Sequence, residues 1–210
     1  MAKESGLLYV PVLHTPQEAR GIGHTFQSGS VHQAAPPSPC DHDQSVREMW
    51  AGIARKLNEA NLSWPMVRVY QDALPVCGME NEIISVLADH GSLNHQLLMD
   101  LVGRGARLEG TENPDLLAQE HEYLTALIAT SAGRPERAAF EEYQVRGKAL
   151  MEKRDAFIAA RIRSTIREGE LPLVFMGVRH QLDKQLDGDF IITYLIYRLP
   201  FRKIGDIYNV

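Results

Sequence analysis

Leu171-Pro172-Leu173-Val174-Phe175-Met176-Gly177-Val178-Arg179-His180 is a short apolar run closed by a glycine and, three residues later, a histidine. An uninterrupted apolar run of this length suits a strand buried on both faces, as in a parallel sheet. The start of the chain carries the same figure: Leu7-Leu8-Tyr9-Val10-Pro11-Val12-Leu13, followed by His14. In open parallel sheets, ligands sit beyond the carboxyl ends of the strands. His14 and His180 are therefore expected to face one another across one crevice. A metal site, or a base with its partner, needs that arrangement.

Outward from these two runs, β-type segments alternate with helical stripes. Met66–Tyr70, Ala106–Glu109 and Asp189–Ile196 are the further strand candidates, beside 7–13 and 171–176. Val46, Met49, Trp50, Ile53, Ala54 and Leu57 recur at helical spacing, so a helix is expected from about Gln44. Further helices are expected over 80–90, from Ser92 to Val102, from Asn113-Pro114 to about Thr130, and over 136–168, as one helix or two. The alternation predicts a single α/β domain over 1–210 with a mainly parallel sheet and right-handed crossovers, its last strand antiparallel at an edge. Residues 15–44, broken by Gly21-Ile22-Gly23, Ser28-Gly29-Ser30 and Ala34-Ala35-Pro36-Pro37-Ser38-Pro39, read as a long irregular loop, expected to act as a mobile cover over the crevice.

At 210 residues, 44% hydrophobic and 23% charged, the composition is that of an ordinary globular domain. The net charge of −5 argues against nucleic acid as a partner. No run approaches the roughly 18 apolar residues of a membrane span. The two cysteines, Cys40 and Cys77, have no metal-type spacing, and the start of the chain does not read as a signal peptide, so a reduced, cytoplasmic protein is expected. A homo-oligomer is left open. The chain has no phosphate-binding glycine–lysine loop, no G-x-S-x-G elbow, no H-E-x-x-H pair and no complete dinucleotide fingerprint.

The chemistry-bearing residues gather at the strand ends. Glu109 and Glu112 follow the strand candidate at 106–109, and either suits a metal ligand or an acid–base group. Glu112 reads equally well as a charge favouring the next helix's dipole. Gln71-Asp72 ends another strand candidate and is similarly ambiguous. On the long helix, Gly147, Met151, Ile158, Ile162 and Ile166 share a face, with Arg154 and Asp155 on or beside it. Two readings stand for these two: a structural ion pair, or Arg154 orienting an anionic group. His24, His32 and His42 match no compact ligand motif, and His90, His95 and His121 read as structural or surface residues.

A strand ending in histidine, a helix reading Leu150-Met151-Glu152-Lys153-Arg154-Asp155-Ala156-Phe157-Ile158-Ala159 and a strand ending in Gly177-Val178-Arg179-His180 together resemble the TraB/Tiki superfamily, itself similar to the erythromycin esterases and the ChaN haem-binding proteins. The resemblance implies His14 and His180 as paired histidines, Arg154 as the positioning arginine, and an acid near Glu109 or Glu112. Pro11-Val12-Leu13-His14 departs from it in lacking the expected glycine. It also implies a hydrolase acting on an ester, amide or peptide bond of a small molecule or peptide. His14, His180 and Glu109 would hold a divalent metal ion, with a haem- or small-molecule-binding protein of the same fold as the alternative.

Overall fold

The computed structural model describes residues 5–12, 41–131 and 137–197. Five strands form one sheet: β1 (Ser5–Val12), β2 (Val67–Gln71), β3 (Arg107–Glu109), β4 (Leu171–Gly177) and β5 (Phe190–Tyr194). The helices are α1 (Asp41–Glu59), α2 (Glu80–Asp89), α3 (Leu93–Gly103), α4 (Pro114–Ser131), α5 (Arg137–Thr165) and the single-turn α6 (Leu182–Leu186). The expected α/β class is the observed one.

The strand order is β3-β2-β4-β1-β5 and every pairing is parallel. β5, expected to be antiparallel, runs parallel to β1 from Ser5↔Phe190 to Tyr9↔Tyr194. The connection from β4 carries α6 and is long enough for a crossover, so no hairpin is forced. β4, formed late in the chain, inserts between β1 and β2. The carboxyl ends of β2, β3 and β4 thereby lie side by side, and the loops that leave them share one rim.

Burial explains why these segments became strands. All five β2 residues and six of the seven in β4 are buried, as sheet covered on both faces requires. Val10, Val12, Val67, Val69, Leu173 and Phe175 pack with Trp50, Ile53, Leu57, Leu98 and Leu101 on one face. Leu7, Tyr9, Tyr70, Val174 and Met176 pack with Ile158, Ala159, Ile162, Leu182 and Leu186 on the other. Asn113 Oδ1 accepts the backbone N–H groups of Asp115 (2.8 Å) and Leu116 (3.2 Å), which caps α4 in front of Pro114.

One boundary differs from the sequence reading: α1 starts at Asp41, inside the segment read as loop. Of the two readings for 136–168, the single helix is the observed one, as α5. His14, Cys40 and the rest of 13–40 lie outside the described residues, and so does the idea of a cover there. Among the described residues, no helix is long and apolar enough to cross a membrane.

Candidate functional site

The buried face of α5 matches the expected one in part, sharing Ile158 and Ile162 with it. Leu150, Arg154, Asp155, Ile158, Ala159 and Ile162 are buried, whereas Gly147, Met151 and Ile166 are only partly so. Arg154 and Asp155 therefore stand within the buried stripe. They do not serve one another, because consecutive helical residues point about 100° apart.

Arg154 turns to the ends of β2 and β3. Its Nε donates to Glu112 Oε2 at 2.8 Å and its Nη2 to Asp72 Oδ1 at 3.1 Å and to Glu112 Oε1, while Nη1 meets Glu120 of α4. Asp155 turns to the end of β4. Its Oδ1 is 2.5 Å from His180 Nδ1, and its Oδ2 accepts the Gln181 N–H at 2.9 Å. The other ring nitrogen, His180 Nε2, is 3.3 Å from Asp72 Oδ1.

Asp72 joins the two halves. It is the first residue past β2 and its own N–H donates to Phe175 O at 2.9 Å, which continues the ladder with β4. Its Oδ2 accepts the N–H of Gly177, the last residue of β4, at 3.0 Å. Beyond Gly177, Val178 N donates to Val12 O (3.1 Å) and His180 N back to Gly177 O (3.0 Å). That turn returns the imidazole over the sheet.

Glu112 is fully buried, and the loop that carries it is laced to the loop after β2. The N–H groups of Thr111 and Glu112 both donate to Leu74 O at 2.9 Å, and Val76 N donates to Glu112 O at 2.9 Å. Ala73 sits at φ 60°, a left-handed conformation that an L-residue adopts at a steric cost. That conformation accompanies an N–H aimed at Glu112 Oε1, 3.2 Å away. Gly110 is needed for the same approach: a Cβ there would lie 2.8 Å from Val76 Cα and 2.9 Å from Pro75 O.

Asp72, Glu112 and His180 each present a ligand atom within 4.8 Å of the others, and all three residues are buried. The three are close enough to hold a metal ion. Among the described residues, four carboxylates (Asp72, Glu112, Glu120 and Asp155) surround one guanidinium and one imidazole. Burial opposes a charge on His180, but Asp72 and the hydrogen bond to Asp155 outweigh it and raise the imidazole from 6.5 to about 10. Ionised carboxylates only accept hydrogen bonds, so a ring between two of them is the doubly protonated form. Burial pushes the Glu112 carboxyl up, and the hydrogen bond and charge of Arg154 oppose the shift. Arg154, although buried, is held more firmly protonated by Glu112, Asp72 and Glu120.

Of the residues singled out in the sequence, Glu112, Arg154 and His180 lie in this cluster. Glu109 does not. It binds Arg68, and its Oε2 accepts from Arg161 Nη2 at 3.0 Å. Those contacts place it in a second network with Glu170, whose carboxylate pairs with Arg68 Nε at 2.7 Å. Asp72 was visible in the sequence as an acid at a strand end, without a reason to prefer it. Asp155 appeared as a partner for Arg154 rather than for His180, and Glu120 carried no signal at all. Comparison of the chain with family models, with curated proteins and with solved structures finds no match.

Proposed function

We propose that the cluster is the site of a TraB/Tiki-like hydrolase that cleaves an ester, amide or peptide bond with the help of a divalent cation held by Asp72, Glu112 and His180. One observation carries this reading. Three buried donors from three different strand ends lie within 4.8 Å of one another, at the rim where ligands bind in parallel sheets. The chemistry of the donors fits: two carboxylates and an imidazole suit a first-row divalent ion. Such an ion, when bound, polarises a carbonyl and lowers the pKa of a bound water.

The chain's own residues have separable roles in this proposal. Asp155 accepts from His180 Nδ1 and so orients the ring, leaving Nε2 as the ligand or acid–base atom. Asp72 faces that nitrogen and is itself fixed by Gly177 N. Arg154 bridges Asp72 and Glu112 and keeps their charges compatible at close range. His14, two residues past Val12, is proposed as the second histidine. Haem ligation through His180 is the alternative; the carboxylates of Asp72 and Glu112 beside the ring favour a divalent ion with oxygen and nitrogen ligands instead.

The test is elemental analysis of purified protein together with turnover on a panel of esters, amides and peptides, with and without a chelator. Hydrolysis that is lost on chelation and restored by Mn²⁺ or Zn²⁺ is expected. A protein that binds no divalent ion and turns over nothing on the panel would end the proposal. A Soret band on adding haem would favour the alternative.

A further inference from the structure

We infer that Thr111 is a positioning residue for this site: its hydroxyl ties the end of β2 to the loop after β3 and thereby sets the separation of the Asp72 and Glu112 carboxylates. The inference rests on the metal-site reading for its functional meaning, but its geometry stands on its own.

β3 is short. Its ladder with β2 ends at Tyr70↔Glu109, one residue before β2 itself ends at Gln71. The Gln71 N–H is therefore left without a strand carbonyl on the β3 side, in a position that water does not reach. Thr111 Oγ1 takes it at 3.0 Å and donates its own hydrogen to Glu109 O at 3.1 Å. The hydroxyl thus serves as acceptor for one strand and donor for the other. An apolar side chain of the same shape can do neither. Thr111 is fully buried, so no solvent substitutes for it.

The two residues next to this bridge are the two carboxylates of the proposed site. Asp72 follows Gln71 and Glu112 follows Thr111. Immediately beyond, Leu74 O accepts from both Thr111 N and Glu112 N, and Ala73 N reaches Glu112 Oε1. Arg161 Nε braces the same loop by donating to Gly110 O at 3.1 Å. Without the hydroxyl, a buried N–H loses its partner and the tie nearest the two carboxylates is gone, leaving the backbone bonds farther along to hold the loops. The carboxylates would then lose the spacing on which a shared cation depends.

The experiment compares wild type, Thr111→Val and Thr111→Ser as full chains titrated with Mn²⁺ by calorimetry. Thr111→Val is expected to weaken Mn²⁺ binding by about ten- to a hundredfold, the usual loss when a group that supports a ligand is removed. Thr111→Ser keeps the hydroxyl and is expected to retain wild-type affinity. Ile53→Val, on the buried face of α1, lowers stability without changing affinity, which separates positioning from general destabilisation. Wild-type affinity in Thr111→Val overturns the inference. A crystal structure of metal-free Thr111→Val supplies a measurement that does not depend on the metal. Donor atoms of Asp72 and Glu112 more than 4.8 Å apart support the inference, and an unchanged site overturns it. If wild type binds no Mn²⁺ but the variant's carboxylates separate, the metal reading falls and the role of Thr111 stands. Thr111→Ala carries the same expectations if the valine variant does not fold.

Discussion

Two charged networks meet the same helix about two turns apart, and they are built differently. Around Arg68, near the start of β2, Arg107 and Arg161 join in surrounding Glu109, the last residue of β3, and Glu170, which precedes β4. Cations outnumber carboxylates there, and the outer members, Arg107 and Arg161, reach solvent. Past the carboxyl ends of β2, β3 and β4, carboxylates outnumber cations among the described residues, and Asp72, Glu112, Asp155, Arg154 and His180 are all buried. Arg68, Tyr70 and Asp72 alternate onto the same face of β2, so one strand feeds both networks. A network in which each carboxylate has its own arginine holds the fold. One in which carboxylates crowd together beneath too little positive charge is costly as it stands, and a further cation would relieve it.

The sharpest way to break this comparison is to remove the central arginine from each side. Arg154→Met should cost about 3–5 kcal/mol in denaturant melts, because it leaves buried carboxylates uncompensated, and Arg68→Met should cost less, because Arg107 and Arg161 still pair with Glu170 and Glu109. They should part on adding Mn²⁺. Arg68→Met keeps the proposed site, so at a hundred times the wild-type dissociation constant the ion should stabilise it by about 2.7 kcal/mol, as it does wild type, whereas Arg154→Met, with uncompensated carboxylates at the site, should gain more. Equal behaviour of the two variants would erase the distinction between the networks.

A smaller effect is expected from pH. The folded His180 imidazole is raised from 6.5 to about 10 by Asp72 and Asp155 against the cost of burial. Its stabilising contribution is therefore complete below pH 6.5 and disappears as the pH climbs to about 10. In metal-free protein, the stability advantage of wild type over His180→Asn should fall by at most about 1.4 kcal/mol per pH unit across this window. Mn²⁺ affinity should rise over the same window, since the ion must displace a proton from the ring. An advantage that grows with pH would mean that the imidazole is neutral in the folded protein.

The smallest effect should come from Glu109→Gln. It loses an ion pair shared by Arg68 and Arg161, worth about 1–2 kcal/mol at a partly exposed position. Mn²⁺ affinity and any turnover should be unchanged. A large loss of affinity would return Glu109 to the candidate site and merge the two networks.

How far the sequence could be read follows from the range of each interaction. The apolar runs at 7–13 and 171–176 announced strands because burial on both faces leaves a local record in composition. His180 was legible for the same reason, as a polar residue just past such a run. Glu112 was legible as an acid just past a strand candidate, and Arg154 as a charge on an apolar stripe where burial would demand a partner. The partners themselves were not. Whether Arg154 and Asp155 pair with each other or with different strand ends depends on the side-chain directions of a helix packed on a sheet, and adjacent letters do not record that.

Local sequence alone determined that this chain is an α/β protein with chemistry-bearing residues at its strand ends, since strand and helix periodicities are properties of neighbouring residues. Only the tertiary structure decided the order β3-β2-β4-β1-β5, because strand pairing joins residues far apart in the chain. That order sets β2, β3 and β4 side by side and brings Asp72, Glu112 and His180 within reach of one another, while Arg68 and Arg161 hold Glu109 in the other network. The choice between two glutamates three residues apart was made by which arginine each could reach.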